Sequence, residues 1–153
     1  MSNTYSQVHL QFVFAAKFRA SLIQPHWEND LYKYITGIVQ NNNHRMIAVN
    51  GMPDHVHILV GFRTTQTIAD FMQDVKTGSS QWINGEGFCK SRFEWQSGYG
   101  VFSYSKSQLL DLIRYIENQK QHHQKITFLK EYKNLLEEFE IPYEEKYIFH
   151  EPI

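Results

Sequence analysis

The order of apolar and polar residues predicts four short β-strands. Residues 8–15 mix β-branched and aromatic side chains with alternation, residues 45–50 form a second apolar run, and the run 55–60 alternates histidine with β-branched residues at its start. A shorter strand is expected over residues 100–104. Since only the turn 50–54 separates the second and third of these segments, we expect them to form an antiparallel hairpin.

Apolar residues recur every three or four positions between and after these strands, which is typical of amphipathic helices. Pro25 suits a first helical turn, Thr67 can cap a second helix, and Ser105 or Ser107 can cap a third. The pattern predicts helices over residues 25–41, 67–84, 105–123 and 127–139. The glycine-rich and aromatic stretch 85–100 is predicted to be a loop.

The predicted order is β-α-β-β-α-β followed by two further helices. This order is typical of the α+β class and of the ferredoxin-like, or split βαβ, fold. We therefore expect an antiparallel sheet with helices on one face, plus C-terminal helices, in a single domain over residues 1–153. Many unrelated functions use this fold, so function has to be argued from a site.

Composition is that of a globular chain, 42% hydrophobic and 15% aromatic. No apolar run approaches the roughly 18 residues that a membrane-spanning helix needs, and the polar start has no signal-peptide pattern. The single Cys89 can form neither an internal disulfide nor a cysteine-based zinc site. We expect a cytoplasmic protein with no membrane partner.

The net charge of −1 hides an uneven distribution. Residues 1–130 carry 13 Lys and Arg against 9 Asp and Glu, whereas residues 131–153 carry 2 against 7. The mildly basic body permits phosphate binding by a local patch. Solvated surface charge explains the same composition better, so charge alone does not indicate a nucleic-acid partner.

The strongest candidate chemistry lies in the strand that begins at His55. Side chains alternate along a strand, so His55 and His57 project from one face about 6.6 Å apart along the chain, while Val56, Ile58 and Val60 face a core. Two imidazoles at this spacing can share a metal ion. Histidines that are simply hydrogen-bonded at a sheet surface give the same pattern, and the pair alone does not decide between these interpretations.

A second group of polar residues lies on the predicted third helix. Its apolar stripe consists of Leu109, Leu112, Ile113 and Ile116. Tyr115 and Gln119 lie off this stripe, and because they are four residues apart they face the same way. The two side chains can meet one metal ion or phosphate, although a surface tyrosine beside an exposed amide fits the periodicity as well.

Together these segments resemble the HUH-type, single-tyrosine transposases of bacterial insertion sequences that move as single-stranded DNA. The resemblance rests on His55-Val56-His57 after a Pro-Asp turn and on the segment 93–103 with its Trp-Gln-Ser-Gly-Tyr-Gly core. It also rests on Tyr115-Ile116-Glu117-Asn118-Gln119 followed by two histidines. The motifs occur in the family's order over nearly the whole chain.

The resemblance implies a nicking and joining enzyme for single-stranded DNA. Tyr115 would be the catalytic nucleophile that forms a 5′-phosphotyrosine link, and His55, His57 and Gln119 would hold one divalent cation, Mg²⁺ or Mn²⁺. We expect Mn²⁺ to bind at least as tightly as Mg²⁺, because Mn²⁺ accepts imidazole ligands more readily. Residues expected to support the metal ligands from outside are Asp54, His122 and His123.

The resemblance also implies a DNA partner with hairpins at the element ends and a homodimer whose site forms either in cis or in trans. Candidate DNA contacts are Lys17, Arg19, Lys90, Arg92, Trp95, Arg114 and Lys120. Trp95 and Tyr99 can stack on unpaired bases, or they can simply cover the sheet. The acidic outer face of the last helix is interpreted as solvated surface or as a guard against non-specific DNA.

Two other functions fit parts of the pattern. A non-catalytic binder of single-stranded nucleic acid would use the sheet to stack bases. A metal-dependent phosphodiesterase would use water as its nucleophile and leave Tyr115 without a role. The presence of His55, His57, Tyr115 and Gln119 together favours the transposase.

Overall fold

The computed structural model describes residues 3–153, which form one four-stranded antiparallel sheet and five helices. In chain order the elements are β1 (His9–Ala15), α1 (Pro25–Asn41), β2 (Arg45–Met52), β3 (His55–Gly61), α2 (Ile68–Glu86), β4 (Gly100–Tyr104), α3 (Leu109–Glu117), α4 (Gln119–His122) and α5 (Phe128–Glu138). The strand order β2-β3-β1-β4 confirms the predicted ferredoxin-like fold.

The predicted hairpin of β2 and β3 is present and brings Asn50 opposite His57 and Met52 opposite His55. Gly51 pairs with Val56 between these two positions. A Cβ atom at Gly51 would collide with the carbonyl oxygen of His55. Glycine is therefore required here by the close approach of the two strands beside the histidines.

One face of the sheet is apolar and is covered by α1 and α2. Alternate residues of the two central strands, Phe12 and Phe14 of β1 and Val56 and Ile58 of β3, are fully buried against these helices. The helices contribute their own apolar stripes, which include Leu31, Ile35, Phe71 and Val75. This layer is the main hydrophobic core, as the period-2 and helical patterns predicted.

The opposite face is covered by the C-terminal part of the chain. Leu112 and Ile116 of α3 pack on Ala48 and Leu59, and the apolar stripe of α5 packs on Val13. The sheet is thus enclosed on both sides. His55 and His57 point toward this second layer, so they are buried between β3 and the C-terminal helices.

The third helix differs from the prediction, because it does not continue unbroken to His123. It ends at Glu117, and Asn118 leaves the helical region with φ −96° and ψ 19° before the single turn of α4 begins. Asparagine is a weak helix former, and the amide of Asn50 on β2 donates a 3.0 Å hydrogen bond to the free carbonyl of Glu117. The break leaves Gln119 fully buried against the sheet.

No helix in residues 3–153 is both long and apolar enough to cross a membrane.

Candidate metal and tyrosine site

The two histidines of β3 belong to a buried cluster of potential metal ligands. His55 and His57 have no exposed surface, and their rings lie 5.1 Å apart between centroids. His123, just after α4, and Glu131 of α5 complete the group. One ligand atom from each of the four side chains lies within 4.8 Å of the others, so the strand pair predicted from sequence lies in a four-residue cluster.

Tyr115 and Gln119 reach the same cluster from the helices. The Tyr115 hydroxyl donates to Glu131 Oε2, and Gln119 Nε2 donates to the same oxygen at 3.0 Å. Gln119 Oε1 lies 3.1 Å from His55 Nε2. Tyr115 and Gln119 thus face the same way although the helix breaks at Asn118 between them, and the structure brings both together with His55 and His57.

Both strand histidines are held from outside the cluster. His55 Nδ1 lies 2.7 Å from Asp54 Oδ1, and this bond orients the ring with Nε2 toward Glu131. His57 Nδ1 lies 2.9 Å from the amide of Gln11, which in turn accepts from the Tyr104 hydroxyl at 2.8 Å. The structure thus places Asp54 where the sequence interpretation expected an outer partner.

His122 and His123 occupy different places, although they are adjacent in sequence. The His123 side chain is 5% exposed, and its Nε2 lies 3.0 Å from Glu131 Oε1 inside the cluster. His122 is 34% exposed, and its Nε2 lies 3.4 Å from Glu131 Oε2. Its ring packs against Tyr115 with 5.3 Å between centroids. His122 therefore flanks the tyrosine, while His123 is one of the potential ligands.

The surroundings of the cluster lower the pKa of Glu131 and raise the pKa of Tyr115. Burial raises the pKa of the Glu131 carboxyl, but hydrogen bonds from His123, His55 and His57 outweigh burial and hold that pKa well below its ordinary range. Burial and the nearby Glu131 carboxylate raise the pKa of the Tyr115 phenol above its ordinary value. In these surroundings Glu131 is ionised and Tyr115 is protonated.

The two histidines of β3 differ from each other. Burial lowers the pKa of His55, but its contacts with Asp54 and Glu131 outweigh burial and raise that pKa above the ordinary value. Burial dominates at His57, and its pKa is lowered. The ring that has a carboxylate on each side is therefore the one that attracts a positive charge.

A cleft of about 400 Å³ gives access to the tyrosine side of the cluster. It lies between α3 and α5 and reaches Tyr115, His122 and Glu131, with Asp111 and Glu138 on its walls. A phosphate entering this cleft would meet carboxylates rather than cationic side chains. Binding of a phosphodiester there requires positive charge supplied close to Glu131.

The candidate DNA-contacting cations lie on more than one surface. Lys17 and Arg92 both pair with Glu94, at 3.6 and 3.8 Å, and Arg19 donates to the carbonyl of Pro152 at 3.2 Å. Lys90 is exposed just after α2, and Arg114 lies on α3 with 65% of its side chain exposed. Lys120 instead binds the Gly51 carbonyl and Glu28.

Trp95, another candidate DNA contact, lies in the hydrophobic core. Its indole ring is buried against Phe14 and Phe93, with centroids 4.7 Å away in both cases. Its Nε1 donates a 3.0 Å hydrogen bond to Ser79 of α2. The alternative interpretation, in which Trp95 covers the sheet, describes this position, because only 8% of the residue is exposed.

Sequence reasoning missed Glu131. The acidic face of the last helix was interpreted as solvated surface, yet Glu131 is 3% exposed and lies in the centre of the cluster. The signal was its position in the apolar stripe of α5, three residues after Phe128 and four before Leu135, both buried. A charged residue at such a position needs a buried partner.

The residues of the cluster fit a divalent transition-type cation. Three imidazole nitrogens, one carboxylate and one amide oxygen converge on one buried space. Imidazole and carboxylate groups together are common ligands of such ions, whereas Mg²⁺ prefers a set of ligands made of oxygen atoms. The structure therefore supports a divalent cation without distinguishing which one.

Comparisons with known proteins identify the family of this chain. The family model described as "Transposase IS200 like" matches residues 4–119. The ISDra2 transposase TnpA of Deinococcus radiodurans is 24% identical over 118 residues, which cover 74% of this chain and 84% of that protein.

Two solved structures have a similar fold. One, a crystal structure assigned as a transposase from Deinococcus radiodurans R1, has a TM-score of 0.61 and 22% identity, and the match covers 78% of this chain and 95% of that chain. The other, a REP-associated tyrosine transposase bound to a REP hairpin, has a TM-score of 0.61 and 12% identity, with 82% and 74% covered. Because the family model spans well over half of the sequence, this chain belongs to the IS200-like transposase family.

Proposed function

We propose that this chain is a metal-dependent single-stranded DNA transposase that nicks and rejoins DNA through a 5′-phosphotyrosine intermediate. The observation that carries the proposal is the position of Tyr115. Its hydroxyl donates to Glu131 inside the His55–His57 cluster and borders the cleft that opens to solvent. Membership of a transposase family supports DNA cleavage and strand transfer in general.

In the proposed reaction Tyr115 Oη forms a bond to the scissile phosphorus, and the bond from phosphorus to the 3′ oxygen breaks. The Tyr115 hydroxyl, held by its hydrogen bond to Glu131 Oε2, loses its proton to solvent through the cleft, and the departing 3′ oxygen takes up a proton from solvent. A second 3′-OH then attacks the phosphotyrosine and loses its proton to solvent, and the bond from phosphorus to Tyr115 Oη breaks, after which Oη takes up a proton from solvent. One phosphodiester replaces another, so no nucleotide cofactor is consumed.

His55, His57 and Gln119 are the residues that the resemblance assigns to the cation, and their ligand atoms converge in the structure. The bound cation would supply Lewis-acid polarisation of the phosphate and stabilise charge on the leaving oxygen. Asp54 holds His55 in the orientation that this requires. Titrating the protein with Mn²⁺ and Mg²⁺ in a calorimeter tests the expected preference, and tighter Mg²⁺ binding would contradict it.

The proposed partner is single-stranded DNA with hairpins. A structural neighbour bound to a REP hairpin supports this partner, and the exposed cations Lys17, Arg19, Lys90, Arg92 and Arg114 are the proposed phosphate contacts. Lys120 is kept as a weaker candidate because Gly51 and Glu28 already bind it. Rising salt should weaken DNA binding steeply if these contacts form.

A homodimer is a further part of the proposal. In the structure Tyr115, His55 and His57 of one protomer meet each other, which supports a site assembled in cis. Mixing a His57→Ala variant with a Tyr115→Phe variant tests this assembly. A site shared between protomers would regain adduct formation in the mixture, whereas a cis site would not.

The central experiment incubates the protein and Mn²⁺ with a labelled pool of single-stranded hairpins that have randomised flanks. The expected result is a denaturation-resistant protein–DNA adduct with the wild type and none with Tyr115→Phe. Tyr34→Phe is the matched control, because Tyr34 lies on α1 against Trp82 and away from the site. Cleavage that survives Tyr115→Phe would show a water nucleophile, and binding without cleavage would show a binding protein.

A further inference from the structure

The carboxylate of Glu131 faces two different groups with its two oxygens. Oε2 accepts from the Tyr115 hydroxyl and from Gln119 Nε2. Oε1 lies 3.0, 3.1 and 3.5 Å from the Nε2 atoms of His123, His57 and His55. The carboxylate therefore connects the imidazoles with the tyrosine, and both Glu131 and His123 lie beyond the stretch 4–119 that the family model matches.

When His55 and His123 are neutral, the hydrogen bonds around their rings leave the inner nitrogens without a proton. His55 Nδ1 is placed to donate to Asp54 at 2.7 Å, and His123 Nδ1 to the carbonyl of Ile126 at 2.8 Å. A neutral imidazole with its proton on Nδ1 has a lone pair on Nε2. In both rings that lone pair faces a carboxylate oxygen, and the contact is favourable when a cation lies between the two atoms.

The separations between these atoms match those within a metal coordination shell. Metal–ligand bonds of about 2.1 Å place neighbouring ligand atoms about 3.0 Å apart in octahedral and about 3.4 Å apart in tetrahedral coordination. The three nitrogen–oxygen separations around Glu131 Oε1 are 3.0, 3.1 and 3.5 Å. A single divalent cation could thus meet these ligand atoms with small side-chain shifts.

Burial makes an uncompensated carboxylate costly at this position. Glu131 is 3% exposed, and His55 and His57 have no exposed surface. No Lys or Arg contacts Glu131 in residues 3–153. Charge compensation for Glu131 therefore comes from the imidazoles, either as imidazolium ions or through a cation that they hold together with the carboxylate.

We propose that Glu131 is a ligand of the catalytic divalent cation through Oε1, with His123 beside it, and positions Tyr115 through Oε2. This inference rests on the proposed function, since it concerns the same cation. It adds a carboxylate from the C-terminal helix to the His55, His57 and Gln119 ligands. Residues 120–153 are then part of the active site, and α5 couples the nucleophile to the metal.

Metal binding without DNA tests the proposal independently of catalysis. Isothermal titration with Mn²⁺ should show that Glu131→Gln raises the dissociation constant at least about tenfold, since loss of even an outer partner of a metal ligand typically costs 10–100-fold. Tyr115→Phe should bind Mn²⁺ nearly as the wild type does. The same two variants should both lose the DNA adduct.

Glu138→Gln is the matched control. Glu138 lies seven residues further along α5 on the wall of the same cleft and is exposed, so this change removes the same charge without touching the cluster. It should leave Mn²⁺ affinity close to that of the wild type. If Glu131→Gln does not fold by circular dichroism, Glu131→Asp keeps a carboxylate on a shorter chain and should show a smaller loss of affinity.

The outcomes separate this inference from the proposed function. If folded Glu131→Gln binds Mn²⁺ as tightly as the wild type, Glu131 is not a ligand and the imidazoles neutralise it as an ion cluster, while the transposase proposal stands. If the wild type binds no Mn²⁺ yet forms the Tyr115 adduct in the presence of a chelator, both the cation site and this inference are wrong.

Discussion

The two faces of strand β3 have different roles, although their residues alternate along the chain. Val56, Ile58 and Val60 face α1 and α2 and are fully buried among apolar side chains. His55 and His57 face the C-terminal helices and are equally buried, but every contact described around them is polar or aromatic. One strand therefore contributes a structural core and a reactive site at once.

The two faces differ in which helices cover them. The apolar face is closed by α1 and α2, the crossover helices that lie between the strands in the chain. The polar face is closed by α3 to α5, which begin at Leu109, far from His55 in sequence, and those helices supply Tyr115, Gln119 and Glu131. Stability should depend most on the first face and metal-dependent behaviour on the second.

The largest expected effect is a loss of stability on the apolar face. Phe12 is fully buried and packs against Phe62 and Phe71 at centroid distances of 6.4 and 5.2 Å. Phe12→Ala should lower the free energy of unfolding by about 3–5 kcal/mol, as large-to-small changes of buried aromatics do. Urea unfolding measures the change, and a loss under about 1 kcal/mol would contradict the assignment of this face as the main core.

The matched change on the polar face should act mainly through the cation. His57→Ala removes a buried ring that contacts Gln11 and Glu131, and these polar groups lose partners at a cost of about 1–3 kcal/mol without metal. Mn²⁺ at 100 times its dissociation constant should stabilise the wild type by about 2.7 kcal/mol. Thermal unfolding with and without Mn²⁺ should show this gain in the wild type and not in His57→Ala.

The fold could be predicted because the apolar face is encoded locally. Strands β1 and β3 alternate within seven residues each, and α1 and α2 have stripes that need no distant partner to be recognised. The break at Asn118 could not be predicted in this way. It depends on a hydrogen bond from Asn50, which is distant in sequence and becomes adjacent once β2 lies beside α3.

The site was predicted in part for the same reason. His55, His57 and Tyr115 lie on faces that the strand and helix periods define, and Gln119 follows the break at Asn118 but still faces the same cluster. The role of Glu131 depends on α5 folding back over β3, and its position among apolar neighbours was the signal that the sequence interpretation did not use. Trp95 was ambiguous because it lies outside the helices and strands, and its partner Ser79 lies on α2.

A smaller effect is expected at Asp54, which holds the His55 ring from outside the cluster. Asp54→Ala removes the carboxylate 2.7 Å from His55 Nδ1, so the ring is no longer held with Nε2 toward Glu131. Mn²⁺ affinity should fall about tenfold, the lower end of the range for such partners. Asp30→Ala on the exposed side of α1 is the control and should not change affinity. Equal affinities of both variants would mean that Asp54 does not orient the ring.

The smallest effects are expected at the N-terminal caps of α2 and α5, which lie on opposite faces of the sheet. Thr67 accepts from the backbone N–H of Asp70 at 3.1 Å at the start of α2, and Thr127 accepts from that of Lys130 at 3.3 Å at the start of α5. Either threonine changed to alanine should lower the free energy of unfolding by about 1 kcal/mol.

Thr127→Ala should in addition weaken Mn²⁺ binding by a few-fold, because α5 carries Glu131, whereas Thr67→Ala should leave Mn²⁺ binding unchanged. Calorimetric titration of the two variants makes this measurement, with unfolding experiments to verify that their stabilities match. If Thr67→Ala and Thr127→Ala are equally stable and bind Mn²⁺ with the same affinity, the ligands lie on β3 and α4 alone. A loss confined to Thr127→Ala would show that α5 holds the cation as well as the fold.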